Sequence, residues 1–222
     1  MFKLLTGDID RDLPDLAEKI YKFRHSFFVD HLGWEACRKP DGRERDQFDG
    51  PHSIHIVGEE HGEVISYARL LPTTRPHLVT HVYPEIMQGA PSPSGPLIYE
   101  WTRHAVSPKK RETKGPSALT RAAFAAVARA VQALDLDGLL VQTHPVLVDR
   151  VMDMGWDVEP LALPTTYDGA LLLPIYARLV PETLAVAETA FSAHGSRLEA
   201  PIMRARATIR ERPALRVQPS GH

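Results

Sequence analysis

Arg24 lies on the apolar stripe of a helix, and that placement constrains the fold more than any other feature of the chain. Leu13, Leu16, Ala17, Ile20, Phe27 and Phe28 recur with the 3.6-residue period, and Arg24 falls among them. A guanidinium facing a core needs anionic partners close by. The following stretch supplies Phe28, Trp34, Asp46 and Asp49, all within the 26 residues that begin at Arg24. An arginine holds a carboxylate through two parallel hydrogen bonds, while carboxylates and aromatic faces hold an ammonium or a sulfonium. The set therefore suits a small zwitterion. A second reading fits equally well: Arg24 pairs with Asp46 or Asp49 only to pin the loop, and Phe28 and Trp34 fill core.

Around this stretch the chain alternates helical and strand patterns. A helix is expected over residues 13–31, with Asp12 as N-cap, Pro14 in its first turn and Gly33 at its end. Residues 35–50 are rich in Pro, Gly and charge and read as a long functional loop. Strands are expected at 52–58 and 63–71, the second carrying Ile65, Tyr67, Arg69 and Leu71 on one face. Residues 75–96 read as a short helix and a loop, and 97–106 as a third strand. In that strand alternation places Glu100 and Arg103 on opposite faces, so a shared site requires a bulge. Ser117 opens a long helix, then come a strand at 138–143, a helix at 145–154, strands at 156–159 and 169–179, and a helix at 181–193. This order predicts one α/β domain over residues 1–195, a three-layer α-β-α sandwich on a mixed, largely antiparallel sheet. Residues 196–222, arginine-rich and poor in apolar side chains, read as a mobile tail.

Composition closes off several function classes. The net charge of -2 argues against a general nucleic-acid binder. The single cysteine, Cys37, excludes an internal disulfide and any cysteine-based metal site, which fits a reducing cytosol. No apolar run approaches membrane-spanning length, so a cytoplasmic protein without membrane contact is expected. His52 with His55 and His77 with His81 have metal-site spacing but no acidic or third ligand beside them, so no metal is expected. Lys109, Lys110, Arg111 and Lys114, just before a helix start, form either a phosphate seat or a solvated charge run.

Several motifs in order, Arg24, Phe28 and Trp34, then ERDQFD at 44–49, RLLPT at 69–73 and EWTR at 100–103, make the chain resemble the LuxI-type acyl-homoserine lactone synthases. The resemblance covers roughly residues 20–180. It implies a fold similar to the GNAT acyltransferases and a reaction that acylates the amine of S-adenosylmethionine from an acyl thioester. Lactone closure then releases methylthioadenosine. On this resemblance Arg24, Phe28, Trp34, Asp46, Asp49, Arg69 and Arg103 form the S-adenosylmethionine pocket with its supporting ion pairs. Glu100 is the expected base, with Asp46 as competitor. Thr143, Met152, Trp156 and Leu173 are expected to wall the acyl chain, and Lys109, Lys110, Arg111 and Lys114 to meet the thioester carrier. S-adenosylmethionine and acyl-CoA or acyl carrier protein are then substrates, and no prosthetic group is implied. Two departures stand out: the carrier loop lacks a glycine-rich form, and Thr102 replaces the serine of many relatives. Another GNAT-like N-acyltransferase and a non-catalytic sensor of the same small molecules are the competing readings.

Overall fold

A computed structural model describes residues 1–108 and 117–199. The elements in order are β1 (Phe2–Thr6), α1 (Ile9–Asp12), α2 (Pro14–Arg24), β2 (Ile54–Glu60), β3 (Glu63–Pro72), α3 (Leu78–His81), β4 (Ile98–Val106), α4 (Ala118–Ala133), β5 (Gly138–Thr143), α5 (Pro145–Asp153), β6 (Asp157–Pro160), β7 (Thr165–Tyr167), β8 (Ala170–Arg178), α6 (Pro181–His194) and β9 (Leu198–Glu199). The strands line up as β6-β8-β5-β4-β3-β2-β1-β9, with β7 beside β8. The β4–β5 and β1–β9 pairs are parallel and the other pairs antiparallel. The expected mixed, largely antiparallel sheet is therefore present.

Helices cover both faces, because each strand of the middle of the sheet is apolar on both. One face packs Phe2, Ile54, Leu70, Trp101, Leu139, Val141 and Ile175 beneath α4, α5 and α6. Helix α4 can lie close because alanines fill its inner side, among them Ala122, Ala125, Ala126 and Ala130, all fully buried. Its start is capped by Ser117, whose hydroxyl accepts from the Thr120 N–H at 3.1 Å. The opposite face packs Leu5, Val57, Val64 and Tyr67 under α1 and α2. Further along that face, Leu140 meets Val79, Ile86 and Met87.

Four expectations needed correction. Strand β1 was not anticipated: five residues with Phe2 and Leu4 facing one core and Leu5 the other carry too short a pattern to separate strand from loop. The helix expected through residue 31 is α-helical only to Arg24, and His25–His31 forms a π-helix. Asp12 does not cap it; a short separate helix ends there, and Asp12 pairs with Arg11. Leu198–Glu199, within the stretch expected to be a mobile tail, pairs in parallel with β1. The rest of that tail, 200–222, lies outside the described residues.

Candidate active site

A buried lattice of three arginines and three carboxylates ties α2, β3, β4 and the loop before β2 together. Arg24 donates through Nε to Glu44 at 2.6 Å and through Nη1 to Asp49 at 2.7 Å. Arg69 donates from Nη1 to both Asp46 and Asp49 at 2.7 Å, and from Nη2 to Asp46 at 2.9 Å. Its Nε reaches the Thr102 hydroxyl at 3.1 Å. Arg103 donates to Glu44 at 3.0 Å and to Asp46 at 3.1 Å. The charges balance, as a low-dielectric site demands.

The loop that brings the carboxylates in is fastened by its own backbone. The Glu44 N–H donates to the Tyr21 carbonyl, anchoring the loop on α2. The Asp46 side chain accepts from the Phe48 N–H, and Asp49 accepts from the Asp46 N–H, both at 2.9 Å. These short side-chain-to-backbone bonds are the turn-forming habit of Asp. They place both acidic groups on the arginines.

Arg103 owes its position to the backbone. Tyr67 pairs with Ala105 but Arg69 pairs with Thr102, so β4 spends one residue more than β3 across that interval. Arg103 takes a left-handed φ of +55° at this bulge, a conformation that strains a non-glycine residue. The bulge required by the spacing of Glu100 and Arg103 is thus present. It turns Arg103 toward the lattice, where its guanidinium lies 5.5 Å from the Phe28 ring and 5.3 Å from the Trp34 ring. Those two rings stack at 4.8 Å. The π-turn and Gly33, at a φ of +74°, let the Trp34 N–H donate back to the Phe28 carbonyl and fold the indole over Phe28.

Exposure divides the lattice into a support and a working face. The side chains of Arg24, Arg69 and Asp49 are fully enclosed. Arg103, Asp46 and Trp34 reach solvent, Trp34 to 42%. Arg24 pins the loop through Asp49 and Glu44, whereas Arg103, Asp46 and Trp34 present a cation, a carboxylate and one aromatic face outward, with Phe28 buried behind the indole. Burial works against the charge of Asp49, but Arg69 and Arg24 outweigh it and hold its carboxyl well below the usual range. Glu44 is likewise buried, and Arg24 and Arg103 hold it low. Beneath the lattice His55 pairs with the Tyr67 hydroxyl at 2.7 Å, and burial lowers its pKa to about 3.

Glu100 sits on the same face of β4 as Thr102, fully buried. Its oxygens accept from the Leu78 and Val79 N–H groups at 2.8 and 2.9 Å and from the Gln142 amide at 2.6 Å. Those donors are the first turn of α3 and the end of β5, so Glu100 joins both to β4. The His77 ring lies 3.3 Å away.

The acyl-wall candidates divide. Thr143 and Leu173 face each other across the β5–β8 register, and Trp156 packs on Trp101 with ring centroids 6.0 Å apart. Met152 is not brought to them: α5 buries Val148 and Val151, and Met152 is 55% exposed. The basic run Lys109, Lys110, Arg111 and Lys114 lies outside the described residues. Among the described residues no cluster of three or more metal-ligating side chains occurs, and no helix is long and apolar enough to cross a membrane.

Sequence reasoning missed Glu44, His77 and Gln142 as site residues. Charge balance could have found Glu44, since three inward arginines call for three anions and Glu44 opens the same ERDQFD run. Nothing local points His77 or Gln142 at Glu100, because only the packing of α3 and the pairing of β5 beside β4 bring them there.

The chain matches the family described as autoinducer synthase over residues 10–173. It is 32% identical over 176 residues to an isovaleryl-homoserine lactone synthase of Bradyrhizobium diazoefficiens, covering 78% of this chain and 77% of that one. Among solved structures it resembles the CoA-dependent acyl-homoserine lactone synthase BjaI, solved with SAM and isopentyl-CoA. The TM-score there is 0.81 at 26% identity, over 91% of this chain and 95% of that one. An acyl-CoA N-acyltransferase from Pseudomonas aeruginosa shares the fold at a TM-score of 0.53 and 17% identity, over 79% and 98% of the two chains.

Proposed function

The chain belongs to the autoinducer synthase family, and from that premise we propose that it makes an acyl-homoserine lactone from S-adenosylmethionine and an acyl-coenzyme A. The observation that carries this reading is the outward face formed by Arg103, Trp34 and Asp46, with Phe28 stacked behind the indole. Its residue types answer each part of S-adenosylmethionine: a guanidinium for the carboxylate, a carboxylate for the ammonium, an aromatic face for the sulfonium and adenine. Arg24, Arg69, Glu44 and Asp49 act as the support that fixes this face. Rigid ion-paired backing matters because the lactone closes only when the methionyl carboxylate is held in line with the carbon bearing sulfur.

Acyl transfer needs the amine deprotonated. Asp46 has its oxygens committed to two guanidinium groups, whereas Glu100 is held by neutral N–H donors, so Glu100 can take a proton without breaking an arginine pair. Glu100 is enclosed, and the proton reaches it through a water. Its bonds to α3 and Gln142 keep it oriented while that happens.

The thioester enters where β4 and β5 part. These parallel strands pair only from Ile98 with Gly138 to Trp101 with Val141, although β4 runs on to Val106 and β5 to Thr143. Beyond that point the facing edges can hydrogen-bond an extended, amide-bearing arm such as pantetheine. Coenzyme A as the carrier is supported by the similarity to BjaI, a CoA-dependent synthase. Thr143, Trp156 and Leu173 lie toward the acyl end.

Incubating the purified protein with S-adenosylmethionine and a panel of acyl-CoA and acyl-carrier-protein thioesters tests the reading, with products followed by mass spectrometry. Lactone and methylthioadenosine from an acyl-CoA are expected. Turnover with carrier-protein thioesters alone would overturn the choice of donor, and free thiol without methylthioadenosine would point to an N-acyltransferase on another amine.

A further inference from the structure

The hydrogen bonds that hold Glu100 all come from neutral groups, the Leu78 and Val79 N–H of α3 and the Gln142 amide of β5. The Tyr83 hydroxyl donates to Gln142 Oε1 at 3.2 Å, which turns the amide nitrogen toward Glu100. A carboxylate enclosed among neutral donors is costly unless a cation or a proton can reach it. Among the described residues, the basic side chain within ion-pair distance of Glu100 is His77, with Nδ1 3.3 Å from Oε1.

His77 immediately precedes α3, and the N–H groups of the next two residues are the ones that Glu100 accepts. The backbone that carries the ring is therefore fastened to the carboxylate that the ring faces. The residue is 1% exposed, yet neither ring nitrogen has a hydrogen-bond partner among the described residues. Buried polar atoms in folded proteins nearly always have one. An imidazole set against the proposed base, with neither nitrogen locked as donor or acceptor, is free to change tautomer and charge.

We propose that His77 is the proton partner of Glu100, a positioning residue that draws from the carboxyl the proton it has taken from the S-adenosylmethionine amine. This rests on the synthase reading with Glu100 as base. The amine N–H bond breaks, through water, as an O–H bond forms on Glu100. That O–H bond then breaks as an N–H bond forms on His77 Nδ1, and the amine nitrogen keeps the electron pair that attacks the thioester. A carboxylate and imidazolium pair replaces a carboxylic acid. In water an imidazole holds a proton about a hundredfold more tightly than a carboxylate, so the transfer makes loss of the amine proton less uphill. The other ionisable groups nearby are engaged elsewhere. Burial and the Glu100 charge push the Tyr83 phenol above its ordinary range, so it stays a donor. His81, one turn along α3, is exposed and bonded to Thr80. Tyr167 of β7 donates to the Val82 carbonyl, and Arg69 and Arg103 belong to the lattice.

The test is the pH profile of kcat, read as methylthioadenosine formed at saturating S-adenosylmethionine and acyl-CoA, in the wild type, His77→Asn and His77→Gln. Asparagine reaches to the place of Nδ1 and glutamine to that of Nε2, and neither amide takes up a proton at these pH values. Melting curves at each pH fix the folded fraction. The bound amine titrates alike in all three proteins and cancels from the ratio of wild-type to variant kcat, so a group ionising at residue 77 is what tilts that ratio. Between about pH 5 and pH 8 the ratio is expected to rise about threefold or more, reaching about 10- to 100-fold, with the S-adenosylmethionine KM unmoved. A purely structural role lowers kcat by the same factor at every pH. A rise of less than about threefold, or a variant as fast as the wild type at pH 8, overturns the proposal and leaves the synthase reading standing. If the wild type forms no methylthioadenosine from any thioester, the synthase reading fails first and the role of His77 falls with it.

Discussion

The Arg103 guanidinium donates to Glu44 at 3.0 Å, and a single residue of left-handed backbone makes that contact possible. In an unbulged strand Arg103 would point to the opposite face from Glu100 and Thr102. The extra residue in β4 puts all three on one side and sets Arg103 against Phe28 and Trp34. Strain, ion pairing and ring contacts thus meet at one side chain.

Arg103→Lys keeps the charge and loses both the planar fork and the ring contact. We expect S-adenosylmethionine affinity to fall about 10- to 100-fold, since lysine does not replace a bidentate, stacked arginine. Calorimetric titration measures it; unchanged affinity would remove Arg103 from the binding face.

Asp49→Asn leaves Arg24 and Arg69 short of an anion in a fully buried site. Breaking one partner of such a pair costs about 3–5 kcal/mol. For a chain of this size that lowers Tm by roughly 6–20 °C. A melting curve within a degree or two of the wild type would show that the lattice does not hold the loop.

Glu100→Gln should bind S-adenosylmethionine within about threefold of the wild type while kcat falls about 10²- to 10⁴-fold, the usual contribution of a general base. Full turnover in the variant would take the base role away from Glu100. Asp46→Asn should do the reverse, weakening S-adenosylmethionine binding more than it lowers kcat.

Acid should destabilise the protein in two stages. His55 and His104 have folded pKa values lowered to about 3 and about 4 by burial, so the unfolded chain binds their protons first. As pH falls from about 6.5 toward 4, each costs up to about 1.4 kcal/mol per pH unit. Asp49 and Glu44 are held low, so their contribution is complete above the unfolded carboxylate value of about 4 and is lost as pH falls below it. Urea midpoints across pH 3–8 measure this; a flat profile between 4 and 6.5 would contradict the neutral, enclosed histidines.

Much of this was legible in the sequence because the site is written in residues of unusual cost. Arg24 on an apolar stripe and Arg69 inside a strand demand buried anions, and ERDQFD offers them nearby. The need for a bulge followed from the spacing of Glu100 and Arg103. What sequence could not give were the relations that only the sheet makes. Gln142 reaches Glu100 because β5 runs parallel to β4. The π-turn also escaped, since α and π turns share the same apolar pattern over seven residues. On α5 Val148 and Val151 face inward and Met152 faces out, a phase that the apolar pattern of so short a helix does not fix.

In the proposed reaction acyl transfer is coupled to the loss of methylthioadenosine from the same molecule of S-adenosylmethionine. A single-turnover time course with the purified protein, S-adenosylmethionine and an accepted acyl-CoA reads it directly. Methylthioadenosine and lactone are expected in equal amounts, with no methylthioadenosine when the thioester is left out. Coenzyme A released without methylthioadenosine, or methylthioadenosine formed without thioester, would contradict this coupling.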